Sequence, residues 1–140
     1  MKKTVLITGC SSGFGKASAK LFAAKGWNAI ATMRRPEAEE ELTKLADVLV
    51  TRLDVQERHS IEAGIARFGK IDALVNNAGF GLFGLFEATP PEKIEEQFDV
   101  NVFGVMGVPP AYSRMISPGD SRTRCGGWST GKRRRCEGVS

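Results

Sequence analysis

Three glycines at fixed spacing, Gly9, Gly13 and Gly15, stand with Ser11 and Ser12 directly behind a short apolar run and ahead of a helical pattern. Val5, Leu6 and Ile7 read as a strand and the residues from Gly13 onward as a helix, so the glycines occupy a strand-to-helix turn. Lacking a Cβ, they let the backbone bend tightly and lie close to a ligand. The first turn of the helix aims free N–H groups and the positive end of its dipole at that ligand. An anion suits the place, and a pyrophosphate bridge is the one most often held there.

A second group of candidates lies about 20 residues on, where a dinucleotide site that selects NAD places an acid for the ribose 2′-hydroxyl. From Trp27 to Pro36 there is no acid, and the second apolar run ends instead in Arg34 and Arg35. A guanidinium fork matches the 2′-phosphate of NADP. Two solvated loop arginines would look the same, but the missing acid and the added charge point one way, to NADP over NAD.

The elements that must position these residues follow in order. A helix is predicted from about Gly13 to Lys25, with Phe14, Ala17, Leu21 and Ala24 at helical spacing and Gly26 as its C-cap glycine. Residues 28–33 form a second strand, and 37–46 an acidic helix with Leu42 and Leu45 as its contacts. Residues 48–51 form a third strand that runs to Leu53, Asp54 and Val55. Residues 57–68 form an amphipathic helix with Ile61, Ile65 and Phe68 on one face, closed by Gly69, and 71–75 a fourth strand. Thr89, Pro90, Pro91 and Glu92 suggest a capping box before a helix through Ile94, Phe98, Val102 and Val105. Strands and helices alternating at these lengths argue for an α/β fold with a doubly wound parallel sheet.

Taken together, the glycine turn, the basic end of the second strand, Leu53-Asp54-Val55, Asn76-Asn77-Ala78-Gly79 and the helix that carries Asn101 resemble the short-chain dehydrogenase/reductase family over about residues 1–108. The resemblance implies a Rossmann-like domain over 1–108 with its strands in the order 3-2-1-4, truncated after the fourth strand and its following helix. It implies hydride transfer between a small alcohol and a carbonyl substrate with a dinucleotide cofactor. Gly9, Ser11, Ser12, Gly13, Phe14 and Gly15 would form the cofactor turn, Arg34 and Arg35 would hold the 2′-phosphate, and Asp54 with the backbone of Val55 the adenine. Asn77, Ala78 and Gly79 would let the cofactor lie close to the sheet, and Asn101 would belong to the catalytic set, holding a water in the proton relay. Asp54 equally suits a helix cap, and Asn101 a hydrogen bond within a helix interface. Phe80, Phe83 and Phe86 read as core packing ahead of a wall for an apolar substrate.

The resemblance also implies a serine and a Tyr-x-x-x-Lys further on, and neither is present: the single tyrosine is Tyr112, and Ile116 stands four residues beyond it. The expectation is therefore a cofactor site without turnover. From Pro109 the composition shifts to Pro, Ser, Gly, Arg and Cys, and seven basic against two acidic residues carry the chain's net positive charge there. Residues 109–140 read as a basic tail of low order, because so little apolar surface does not offset the entropy of ordering it. Gly126 to Lys132 spells a phosphate-loop pattern, but Arg133 replaces the required Ser or Thr and no strand precedes it. Lys132 to Arg135 offers an alternative, a non-catalytic interaction protein with a nucleic-acid-binding tail, which is disfavoured because such clusters are ordinarily solvated.

The 140 residues, 41% apolar and 26% charged, suffice for one domain with its own core. The run behind Lys2 and Lys3 is too short for a signal peptide, and no stretch approaches a membrane span, so the expectation is a cytoplasmic protein that does not engage membranes. Cys10, Cys125 and Cys136 match no metal spacing, and His59 reads as a surface residue.

Overall fold

The computed structural model describes residues 1–109 apart from 67 and 69. Four parallel strands, β1 (Thr4–Ile7), β2 (Asn28–Met33), β3 (Val48–Arg52) and β4 (Ala73–Val75), form one sheet in the order β3-β2-β1-β4. Val5 pairs with Ala29 on one side and Ala73 on the other, so β1 is central. Its three apolar side chains are fully buried, alternating between two cores as a strand covered on both faces must. Val5 and Ile7 join Cys10, Ala19, Ala29, Ala31, Met33 and Leu42 on one face, while Leu6 joins Ile30, Leu53, Ile61, Ile65, Phe68, Ile71 and Val108 on the other. At about 1.5–3 kcal/mol for each buried aliphatic side chain, β1 alone contributes on the scale of a domain's entire net stability.

Helix α1 (Gly13–Ala24) covers the first face and α2 (Arg58–Ala66) the second, which makes the sheet doubly wound as expected. The C-terminus of α1 is a glycine cap: Gly26 has a left-handed φ of +80°, its N–H donates to Ala23 O, and Trp27 N–H reaches back to Phe22 O. The Phe22 and Trp27 rings meet edge to face across that cap, with centroids 5.3 Å apart. Asp72, just before β4, extends the β1 ladder: its N–H donates to Thr4 O and its carboxylate accepts from Thr4 N–H.

Several expectations need correction. The inward face of α1 is Gly15 and Ala19 with half-buried Phe22, whereas Phe14, Ala17, Leu21 and Ala24 face outward. At the turn end the helix comes so close that a Cβ at Gly15 would clash with Gly9 O, while Phe22 packs on the core further along. No helix forms over 37–46. Two 3-10 turns, Pro36–Ala38 and Leu42–Lys44, stand there, because the Glu39 carboxylate turns inward and takes the N–H groups of Glu41 and Leu42. Helix α3 (Pro91–Phe98) has Pro90 at its N-cap, and Thr89 Oγ1 donates to Leu85 O, so the capping box is absent. A π-helical turn, Asp99–Gly104, follows α3 and leads into helical backbone over 105–109. Its extra residue per turn brings Val100, Gly104 and Val108 inward and leaves Phe98 and Val102 exposed. Phe83 is 99% exposed, Phe86 75% and Phe80 37%, so none of the three is core. The proposed cap Gly69, and the tail calls at Tyr112, Gly126–Lys132 and Lys132–Arg135, lie outside the described residues. No described helix is long and apolar enough to cross a membrane.

Candidate functional site

In a parallel sheet all strands end on one edge, so Gly9 after β1, Arg34 and Arg35 after β2, Asp54 and Val55 after β3 and Asn77 to Gly79 after β4 share that edge. The chain leaves β1 toward β2 on one side and β4 on the other, and such a switch point opens a crevice outside the carboxyl ends.

The turn after β1 is built for close approach. Gly9 has φ +71°, and a Cβ there would meet Ala78 Cα at 2.7 Å. Gly15 seats α1 on the same turn, since a Cβ on it would fall 2.4 Å from both Gly9 O and the Asn77 amide nitrogen. Gly13, at φ +57°, has open space where a Cβ would stand. Ser11, Ser12 and Phe14 are exposed around it, and the Ser12 side chain at the N-cap makes no capping bond. The N–H groups of Gly13, Phe14 and Gly15 precede the first intrahelical bond, from Lys16 N–H to Ser12 O. A cradle of this form fits the pyrophosphate of a dinucleotide.

Asn77 holds the two strand ends together. Its Nδ2 donates to Thr8 O and Gly9 O, both at 3.0 Å, and its backbone N–H donates to Thr8 Oγ1. The same hydroxyl accepts Ala78 N–H at 3.0 Å, so one buried oxygen fixes two amides of the opposite loop. Thr32 Oγ1 donates to Ile7 O at 3.0 Å on the other side of β1. In the sequence Thr8 heads the pattern Thr8-Gly9-x-x-x-Gly13-x-Gly15 with no role of its own, and nothing local marks Thr32. Asn76 lies exposed. Cys10 is buried with its thiol donating to Ile7 O, and burial pushes its pKa up to about 11, so it fills the turn as a neutral side chain.

Asn101 sits in the π-helical turn, a feature common at functional sites. Its Oδ1 accepts Phe80 N–H at 3.0 Å and its Nδ2 donates to Phe80 O at 2.7 Å, fixing the loop that continues from Gly79. Gly104 in the same turn packs on Val55, where a Cβ would come within 2.8 Å of the Val55 side chain. The structure thereby joins Gly9, Gly15, Asn77, Ala78, Gly79, Asn101 and Val55 in one connected frame. Asp54 is no helix cap: its Oδ1 accepts Gln56 N–H in a local turn, its own N–H donates to Ser60 Oγ, and α2 begins at Arg58.

Arg34 and Arg35 are exposed, and neither forms an ion pair among the described residues. The Glu96 carboxyl on α3 is held below its ordinary value, first by its bond to Lys93 and also by the charge of Arg34. Both arginines stand on the sheet edge where the glycine turn opens.

Comparison with known proteins agrees with this geometry. Residues 3–122 match the sequence profile of the short chain dehydrogenases. The uncharacterized oxidoreductase YusZ of Bacillus subtilis is 42% identical over 118 residues, covering 76% of this chain and 41% of its own. A short-chain dehydrogenase from Streptomyces avermitilis superposes with a TM-score of 0.76 at 35% identity, covering 84% of this chain and 46% of that one. The closed form of a serine dehydrogenase complexed with NADP+ gives 0.75 at 33% identity, covering 82% of this chain and 49% of that one. The chain therefore spans less than half the length of each of these relatives. The glycine turn, the parallel sheet that carries it and the profile matched over most of the sequence place this chain in the short-chain dehydrogenase family.

Proposed function

We propose that this chain supplies the cofactor-binding elements of an NADP(H)-dependent oxidoreductase acting between an alcohol and a carbonyl, and that by itself it binds the cofactor without turnover. The observation that carries the reading is the pair Arg34 and Arg35 on the same sheet edge as the Gly9, Gly13 and Gly15 turn, with no acid from Trp27 to Pro36. The NADP+ complex of a related serine dehydrogenase supports it.

In this reading the N–H groups at the start of α1 and the hydroxyls of Ser11 and Ser12 hold the pyrophosphate. Arg34 and Arg35 hold the 2′-phosphate, and Asp54 with the Val55 backbone borders the adenine. Asn77, Ala78 and Gly79 keep the end of β4 low enough for a ring to lie against it. Phe14, 88% exposed, forms an apolar rim beside the turn. The nicotinamide, when bound, supplies or accepts the hydride. Asn101 acts through the Phe80 backbone that both ends of its amide hold, shaping the loop beside the reacting groups.

Binding of NADPH and NADH, followed by nicotinamide fluorescence in the parent and in the double variant Arg34→Ala plus Arg35→Ala, tests the cofactor assignment. We expect the parent to favour NADPH by about tenfold or more, as charge-assisted bonds of about 1.5–3 kcal/mol require. The double variant should level the two cofactors. Equal affinities in the parent would sink the assignment.

A further inference from the structure

We propose that Glu39, paired with Lys16, is a positioning residue for cofactor selection: it locks the segment that carries Arg34 and Arg35 onto the first turn of α1. The 2′-phosphate site and the pyrophosphate site would then keep a fixed separation. The proposal rests on the NADP(H) reading above.

Lys16 directly follows Gly15, so it stands within the first turn of the helix whose start forms the anion cradle. Its Nζ lies 3.2 Å from Glu39 Oε1 and 3.2 Å from Glu41 Oε1. The Glu39 side chain is only 5% exposed, unusual for a carboxylate in a connecting segment. Its Oε1 also accepts the N–H groups of Glu41 and Leu42, each at 2.9 Å, and Leu42 is fully buried in the core beneath. On the upstream side a single 3-10 turn joins this anchor to the arginines: Ala38 N–H donates to Arg35 O and Glu39 N–H to Pro36 O. A continuous path of bonds thus runs from Arg35 through Glu39 to Lys16, the residue beside Gly15. Lys20 adds a parallel tie from α1 to Glu41. Two phosphate-binding groups on separate elements act together only if their spacing is held, and misplacement of about 1 Å is costly. No other ion pair among the described residues joins α1 to the β2–β3 connection upstream of residue 41.

The test measures NADPH and NADH binding in the parent, Lys16→Met, Lys16→Arg, Glu39→Gln and the double arginine variant, with amide exchange at residues 35–42 in the absence of cofactor. Glu39→Gln keeps an oxygen for the two amides but discards the charge that holds Lys16. We expect Lys16→Met and Glu39→Gln each to weaken NADPH about tenfold, to leave NADH within about twofold, and to speed exchange across the segment. Lys16→Arg should restore both readouts. An unchanged NADPH preference in Lys16→Met and Glu39→Gln, in a parent whose preference the arginine variant abolishes, overturns the positioning role and leaves the NADP(H) reading standing. An equal loss of both cofactors in these variants shows a general fold anchor and also overturns it. A parent without preference fails the NADP(H) reading and this proposal together.

Discussion

Thr8 and Gly9 show how much of the site is decided by single atoms. Thr8 Oγ1 is the acceptor for both Asn77 N–H and Ala78 N–H, and the residue is 1% exposed. Replacing it by valine keeps the shape but leaves two part-buried amides without their acceptor, at about 1–3 kcal/mol for such a loss. We expect Thr8→Val to lower stability by about 2 kcal/mol in urea unfolding, with Thr8→Ser close to the parent. Gly9→Ala should do more, because its left-handed backbone and the Ala78 Cα, which is main chain and cannot step aside, act together. Loss of NADPH binding with a depressed unfolding midpoint is the expected result, and normal binding by Gly9→Ala would contradict the close approach. The glycines were legible because their spacing is local. The bonding role of Thr8 was not, although the residue heads the glycine pattern, because its partners lie 69 and 70 residues away and no local pattern announces them.

At the scale of elements, the strands and the glycine cap of α1 were readable because short β-branched runs and Gly26 specify local backbone. Which face of α1 turns inward was not, since Phe14, Ala17, Leu21 and Ala24 satisfy helical spacing as well as Gly15, Ala19 and Phe22 do. Closeness to the turn, not apolarity, chose the smaller set. The segment 37–46 misleads in a similar way: its composition suits a helix, yet Glu39 spends its carboxylate on the amides that a helix would need differently arranged. That carboxylate has a consequence for acid stability. The Leu42 amide above all, then Lys16 and the Glu41 amide, outweigh burial and hold the Glu39 carboxyl below its ordinary value of 4.5. A depressed folded-state value means the contribution is present above the unfolded value and lost as pH falls through the folded one. Lys16 is shifted upward, chiefly by its bond to Glu41 and further by Glu39, so it remains charged throughout that acid range. Unfolding followed from about pH 6 to about pH 3 should therefore show a shallower acid loss for Glu39→Gln than for the parent. Parallel profiles would mean that Glu39 carries no such linkage.

For the whole molecule the question is whether this sheet edge is enough for chemistry. Alternation of strands and helices pointed to a doubly wound parallel sheet, and the family resemblance added the order 3-2-1-4 that the structure has. The exposure of Phe83, Phe86, Phe98 and Phe103 did not follow, since a sequence records apolarity but not what stands opposite each side chain. Hydride transfer at a carbon bearing oxygen needs a proton donor or acceptor within hydrogen-bond reach of that oxygen. The described frame offers hydroxyls and amides there, but Thr8 is buried and committed to backbone amides, and Asn101 has both ends of its amide on Phe80. In the sequence the one tyrosine, Tyr112, has isoleucine where a lysine four residues on would tune it as an acid. Binding and turnover should therefore separate in this chain. Titration with NADPH should saturate its fluorescence change, while nicotinamide absorbance stays constant over a panel of aldehydes and ketones. Steady oxidation of NADPH by the purified 140-residue chain, abolished by Gly9→Ala, would require an acid that neither the described frame nor the sequence pattern supplies.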